Sequence, residues 1–167
     1  MAEPDQSSPI LLNPGSGAPY WFLHNRIAVK AGPEHTAGNL GVFESTLPPG
    51  FSPPLHVHRR EEEAFYILDG RVRMHCGDEV FMAERGAFAL LPRDVPHSFF
   101  VEGDQAARTL TLLSPGGGLG FFTAAGRTPE HDGMPSSEPY DVAGLRRVAA
   151  EFGVDIIGPP LRAEREA

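Results

Sequence analysis

Short apolar runs, separated by glycine, proline and acidic turn residues, dominate the chain between Tyr20 and Leu113. The runs are rich in β-branched and aromatic residues, a composition typical of β-strands. Because no helical pattern lies between them, consecutive strands are expected to pair antiparallel in a sandwich or barrel. The predicted strand segments are 20–30, 40–47, 64–68, 71–76, 79–83, 87–91, 97–102 and 107–113.

Turn residues at fixed positions predict how some of these strands connect. Asp69–Gly70 is the strongest short hairpin signal in the chain, and Gly77–Asp78 predicts a second tight turn. A third turn is expected at 102–104, where the sequence reads Glu-Gly-Asp. The uninterrupted apolar run 87–91 predicts a strand that is covered on both faces.

The pattern changes after the last predicted strand. Gly, Pro and polar residues dominate up to residue 140, which favours a loop. A helix is expected next, because Asp141 can act as its N-cap, apolar residues follow at helical spacing, and Gly153 suits the C-terminal cap. The predicted organisation is a flexible segment 1–19, a barrel 20–114, a loop 115–140, and a helix with a charged tail 141–167.

Composition narrows the classes of function. The 167 residues, of 18.0 kDa, suit one domain, and 41% of them are hydrophobic. A net charge of −8 argues against nucleic acid and anionic membranes as partners. No apolar run is long enough to span a bilayer, and the acidic N-terminus lacks the pattern of a secretory signal. Cys76 is the single cysteine, so we expect a reducing compartment, the cytoplasm.

Candidate chemistry is concentrated in the histidines. His56 and His58 are separated by one residue, so on a strand both rings lie on one face, roughly 7 Å apart. Two such rings can bind one metal ion, and a carboxylate from the acidic run 61–63 and a ring from His97 could complete the set. Taken singly, each feature is common without a metal: such pairs occur on solvated edges, and a run of glutamates is usually a solvated loop.

The arrangement of these residues resembles the two motifs of the cupin superfamily. The stretch 50–70, GFSPPLHVHRREEEAFYILDG, matches the first motif: Gly, five residues, His-X-His, four residues, Glu, six residues, Gly. The stretch 86–101, GAFALLPRDVPHSFFV, resembles the second, with Gly86, Pro92 and His97 in place. It departs at Asp94, where glycine is usual, and at Val101, where asparagine is frequent. The 15 residues between the motifs, 71–85, suit one hairpin.

The resemblance implies an all-β double-stranded β-helix, a jelly-roll barrel, with one divalent transition metal inside it. The implied ligands are His56, His58, Glu63 and His97, and Glu63 is preferred to Glu62 because of its spacing to the glycine at position 70. Such a donor set suits Fe, Ni, Mn, Co, Cu or Zn, and the sequence does not choose among them. Alternation along the strands places Phe65, Met74 and Phe99 towards the barrel interior, where they are expected to line a substrate pocket.

A closer resemblance is to the quercetin 2,3-dioxygenase-like group of small cupins, carried by PLHVHRREEEAFYILDG, LPRDVPH and the GPP element near the C-terminus. It implies a dioxygenase that cleaves a flavonol or a related aromatic enol with O2, with Glu63 as both ligand and base. Two alternatives remain open at this point. One is a non-oxidative metal enzyme, such as an isomerase, cyclase, lyase or decarboxylase, and the other is a cupin that binds a small molecule without catalysis. Outer strands of the barrel could also pair two copies into a homodimer.

Overall fold

Two antiparallel β-sheets face each other in the computed structural model, which describes residues 8–163. Sheet A has the strand order β1-β2-β3-β10-β5-β8, and sheet B has the order β11-β4-β9-β6-β7. The strands are β1 Ala18–Phe22, β2 Asn25–Ala31, β3 Gly41–Leu47, β4 Pro54–His58, β5 Glu62–Asp69, β6 Arg71–Cys76, β7 Glu79–Glu84, β8 Phe88–Leu91, β9 His97–Val101, β10 Ala107–Ser114 and β11 Val154–Pro160. The helices are α1 Leu119–Ala125 and α2 Val142–Glu151, with 3-10 turns at Pro33–His35 and Gly116–Gly118.

The two antiparallel sheets agree with the all-β jelly-roll barrel that the resemblance implies. In β3 every second residue is buried, and β10 shows the same period of two, so each strand presents one buried face to the interior. The buried side chains form two clusters. One joins the sheets around β5, β6 and β9, and the other lies beneath α1 and α2.

The turn at Asp69–Gly70 is present, but its prediction as a hairpin is wrong. β5 belongs to sheet A and pairs with β10 and β8, whereas β6 belongs to sheet B and pairs with β7 and β9. The turn therefore carries the chain from one sheet to the other. Gly70 has φ +82°, and a Cβ there would lie 2.7 Å from the backbone of Ala107, so only glycine fits. The hairpin predicted at Gly77–Asp78 is confirmed by the pairing of β6 with β7.

Two strand predictions also need correction. The segment 20–30 forms two strands rather than one, because Leu23 adopts φ +54° in a tight turn between β1 and β2. The run 87–91 was expected to be covered on both faces, yet Phe88 and Leu90 are 64% and 55% exposed. The reason is topological: β8 is the edge strand of sheet A, so only its inner face, including Leu91, is packed.

Segments flanking the barrel differ from the predictions in part. Within 115–140, which was predicted to be a loop, residues 119–125 form α1, whose Leu119 and Phe121 are buried. Helix α2 occupies the predicted place, with Asp141 as N-cap residue and Gly153 in the left-handed region after its end. Residues 154–160 then return to sheet B as β11, paired with β4, a strand that the sequence analysis did not predict.

At the N-terminus, residues 8–17 carry no helix or strand, and the first seven residues of the predicted flexible segment 1–19 lie outside the described residues. Neither helix in the described range 8–163 has the length and apolar character that crossing a bilayer requires.

Candidate metal centre

Strand alternation and register bring the four predicted ligand residues together. His56 and His58 lie on one face of β4, and His56 is the register partner of His97 on the neighbouring β9. Glu63 reaches the same point from β5 of the opposite sheet. One donor atom from each of the four side chains lies within 4.8 Å of those from the other three. Two strands of one sheet and one strand of the other therefore enclose a common point.

The donor atoms themselves fit a metal ion. The distance from Glu63 Oε2 to His97 Nε2 is 3.3 Å, and that to His58 Nε2 is 3.6 Å. Both Nε2 atoms are buried, and neither makes a regular hydrogen bond within residues 8–163. Buried polar atoms are normally satisfied, so two unsatisfied imidazole nitrogens facing one carboxylate indicate a missing partner. A divalent transition metal bound by three imidazoles and one carboxylate satisfies them all.

In His56 and His97, a hydrogen bond made by Nδ1 leaves Nε2 as the nitrogen that faces the cluster. His56 Nδ1 donates to the carbonyl of Pro54 at 2.7 Å, and His97 Nδ1 donates to the carbonyl of Val95 at 2.9 Å. A ring that donates through Nδ1 has its Nε2 lone pair free to bind a metal. Since each acceptor is two residues before its histidine, the strand backbone fixes both ring orientations.

The carboxylate of Glu61, to which the sequence analysis assigned no role, lies behind the third ring, that of His58. Glu61 is only 2% exposed, and its Oε2 lies 3.5 Å from His58 Nδ1. The glycine-rich turn after β10 packs directly over this carboxylate: a Cβ on Gly118 would lie 2.9 Å from the Glu61 side chain. No local pattern could signal this burial, because Glu61 and Gly118 are more than fifty residues apart.

Replacing Glu61 with Ala is expected to weaken metal binding by about 10–100-fold, because a carboxylate behind a ligand histidine orients the ring and raises its basicity. Glu61→Gln keeps an acceptor oxygen and should restore most of the affinity. Titration of metal-free protein with Zn²⁺ measures this effect. The matched control is Glu62→Ala, because Glu62 lies on the outside and accepts a hydrogen bond from the backbone of Arg93. Equal Zn²⁺ affinity in Glu61→Ala and Glu62→Ala would contradict the assigned role.

The charges within the cluster suit metal binding at neutral pH. Burial alone raises the pKa of Glu63, but the adjacent His58 and His97 outweigh it and lower this pKa to about 2. Burial and the neighbouring rings of His97 and His58 lower the pKa of His56 to about 3. Both groups are therefore in the protonation states that bind a metal, an anionic carboxylate and a neutral imidazole. The pKa of His58 is raised: burial opposes the charged ring, but Glu63 and Glu61 together favour it.

A narrow apolar cavity reaches the cluster from one side. His56 and Glu63 line it, whereas His58 and His97 are not among its lining residues. The rest of its wall is mostly aromatic and aliphatic and comes from both sheets and both helices. Its volume is about 60 Å³, less than half of the ~150 Å³ of a cavity that binds a benzene ring. A small molecule in this cavity would meet the metal cluster at His56 and Glu63.

The predicted pocket residues separate into two groups. Phe65 and Phe99 line the cavity, whereas Met74 does not, although all three are buried. Met74 is fully buried in the core cluster around β6, where it faces Phe81 on β7 and Phe99 on β9. Alternation correctly predicted that Met74 points inward, but β6 lies too far along sheet B for this side chain to reach the cavity.

Comparison with known proteins places these residues in a recognised domain. The cupin domain family matches residues 43–113. Quercetin 2,3-dioxygenase of Bacillus subtilis (strain 168) is 25% identical over 154 residues, which are 92% of this chain and 45% of that protein. The polyketide synthase CurC of Streptomyces cyaneus is 31% identical over 80 residues, 48% of this chain and 51% of that protein. The chain thus spans about half the length of these curated relatives.

The fold comparison agrees with the sequence comparison. The crystal structure of a predicted oxalate decarboxylase from Thermotoga maritima superposes with a TM-score of 0.59 and 20% identity, covering 64% of this chain and 99% of that one. This similarity supports the double-stranded β-helix and carries no information on the reaction.

Proposed function

Because this chain belongs to the cupin superfamily, through its domain at residues 43–113, we propose that it is a metal-dependent enzyme that cleaves a flavonol-like or related aromatic enol with O2. The observation that carries the proposal is that an apolar cavity meets the metal cluster. Three histidines and one glutamate converge on one point, and an apolar cavity opens onto that point beside His56 and Glu63. A divalent transition metal at that point would supply Lewis acidity towards a substrate oxygen.

The protein residues contribute binding, orientation and a proton acceptor. The aromatic wall, including Phe65 and Phe99, favours a flat substrate and excludes water from the site. Glu63 lies on this wall and is anionic, so its carboxylate can accept the proton that a phenol or enol loses on binding. The similarity to quercetin 2,3-dioxygenase, which extends over 92% of this chain, supports an oxidative reaction.

A non-oxidative reaction is the second candidate, and one comparison favours it. The match to the polyketide synthase CurC is shorter but has a higher identity, 31% against 25%. An isomerase, cyclase, lyase or decarboxylase acting on an aromatic or polyketide intermediate would use the same four ligands and the same proton acceptor. The two candidates differ in one measurable respect, the consumption of O2.

Protein purified without chelator is expected to contain one divalent transition metal per chain by elemental analysis. Addition of an aromatic enol substrate, with quercetin and catechol as the first probes, should then cause O2 uptake in an oxygen electrode. The product should contain oxygen atoms from ¹⁸O₂. Turnover at an equal rate under strict anaerobiosis would overturn the dioxygenase proposal and support the non-oxidative one.

A further inference from the structure

Four polar side chains interrupt the apolar wall of the cavity, and the metal cluster does not account for them. Asn25 lies on β2, Ser45 on β3, and Thr109 and Thr111 on β10, all in sheet A. All four are buried, between 1% and 4% exposed. The register places Ser45 directly opposite Thr109, and Thr111 follows on the same face of β10. We call these four residues the polar patch.

Three oxygens of the polar patch are unpaired. Asn25 Oδ1, Thr109 Oγ1 and Thr111 Oγ1 are buried and make no hydrogen bond to any other residue in the described range 8–163. A buried polar group without a partner destabilises a fold, and valine would fill the same space as threonine without that cost. Three such groups on one wall of one cavity are therefore better explained by a ligand than by packing.

The strand register gives the position of the polar patch relative to the metal cluster. Thr111 is opposite Phe65, which follows Glu63 by two residues on the inner face of β5. Thr111 therefore lies about two residues along the strand, roughly 7 Å, and one strand spacing, roughly 5 Å, from Glu63. Thr111 and Glu63 both line the cavity, so the polar patch and the metal cluster face the same space from neighbouring positions of sheet A.

The size of the cavity limits the substrate. Its volume of about 60 Å³ is smaller than the ~150 Å³ of a cavity that binds one benzene ring, so even a single ring needs some movement of the wall. A three-ring flavonol does not fit without movement of the phenylalanines that α1 contributes to the wall. The cavity as described therefore favours a single ring.

We propose that the polar patch binds a hydroxyl group of the substrate at the end opposite the metal. The substrate class is a single-ring phenol or enol whose ionisable oxygen lies at Glu63 and whose second substituent carries a hydroxyl. A hydroxyl is selected because it can donate to Asn25 Oδ1 and accept from the threonine hydroxyls, whereas a carbonyl or a methyl group cannot do both. This proposal narrows the substrate of the proposed function and rests on it for the orientation of the ring.

Two catechols that differ only in one terminal group test the proposal. These are 3,4-dihydroxybenzyl alcohol and 4-ethylcatechol, in which a hydroxyl is replaced by a methyl group. Calorimetric titration of the Zn²⁺-loaded protein, in which no oxidation occurs, is expected to show at least ~10-fold tighter binding of the alcohol, the effect of one well-placed buried hydrogen bond. In the double variant Thr109→Val/Thr111→Val, this preference should fall below ~2-fold.

The control variant is Thr46→Val, on the outer face of the same sheet, which should keep the full preference. Thermal unfolding provides a second readout. Thr111→Val should unfold at the same or a higher temperature than the parent if the hydroxyl serves a ligand, and at a lower temperature if it serves packing. Equal binding of both catechols by the parent protein, or a preference unchanged in the double variant, overturns the proposal. These titrations do not depend on O2 uptake. Absence of O2 uptake would count against the dioxygenase proposal alone, whereas equal binding of the two catechols would count against the polar patch.

Discussion

His58→Ala and His97→Ala are each expected to lose metal affinity by more than ~100-fold, the upper end of the effect of residues that only support a ligand. Each substitution removes one of the four donor side chains. Within residues 8–163, the cluster has no fifth side chain that could take its place. The protein should therefore be purified almost free of metal. Elemental analysis against protein concentration provides the measurement.

Both variants should remain folded, because neither of the two large apolar clusters includes any of the four residues. Circular dichroism should show an unchanged β-sheet spectrum. A stability assay adds a second test, since a ligand at 100 times its Kd stabilises a protein by about 2.7 kcal/mol. Added metal should raise the unfolding temperature of the parent protein and leave that of His58→Ala unchanged.

His35→Ala is the matched control, because His35 lies in the 3-10 turn Pro33–His35, outside the cluster. It should keep one metal per chain and the metal-dependent rise in unfolding temperature. Full metal content in both His58→Ala and His97→Ala would show that the cluster does not hold the ion.

The resemblance to the cupin motifs predicted the four residues of the cluster, because those motifs are local patterns. The His-X-His spacing places two rings on one face of a strand, and the motif spacing to Gly70 favoured Glu63 over Glu62. The departure at Asp94 also follows local chemistry. Asp94 adopts φ +65°, a region that aspartate tolerates better than most residues, and its carboxylate pairs with Arg59 at 3.2 Å. The position thus keeps the turn that glycine usually forms.

Other features escaped prediction because they depend on segments far apart in the chain. The burial of Glu61 results from the packing of the turn at 116–118, and the polar patch results from the pairing of β3 with β10. β11 was missed because its apolar residues are few, and its strand form depends on pairing with β4. A pattern of alternation shows which side chains point inward, as for Met74, but not which of them reach the cavity.

The distinction between local patterns and features that depend on distant segments also applies to function. The four ligands are the part of the site that a motif can specify, and a metal with open positions serves many reactions. Selection among substrates depends instead on the cavity wall, whose residues come from strands of both sheets and from both helices. Most of these residues lie outside the two motif stretches 50–70 and 86–101, so the cavity wall is more informative about the substrate than the metal cluster is.

Glu63→Gln is expected to retain part of its metal and to lose at least ~100-fold in turnover per bound metal, the lower end of general-base contributions. The amide has the shape of the carboxylate and keeps one oxygen donor, and the three histidines remain to hold the ion. What the amide lacks is the negative charge and the basic oxygen that can accept the proton of a phenol or enol at the cavity wall. The loss should therefore fall on the rate rather than on metal content.

The measurement is O2 uptake with the same aromatic substrate, divided by the metal content of each preparation, so that lost metal and lost chemistry are separated. Glu62→Gln is the control, because its carboxylate lies outside the cavity and should leave both quantities unchanged. A Glu63→Gln protein whose turnover per metal stays within a few-fold of the parent would show that the proton leaves by another route. A variant with no metal at all would instead show that Glu63 acts first as a ligand, because its negative charge would then be essential to hold the ion against three neutral imidazoles.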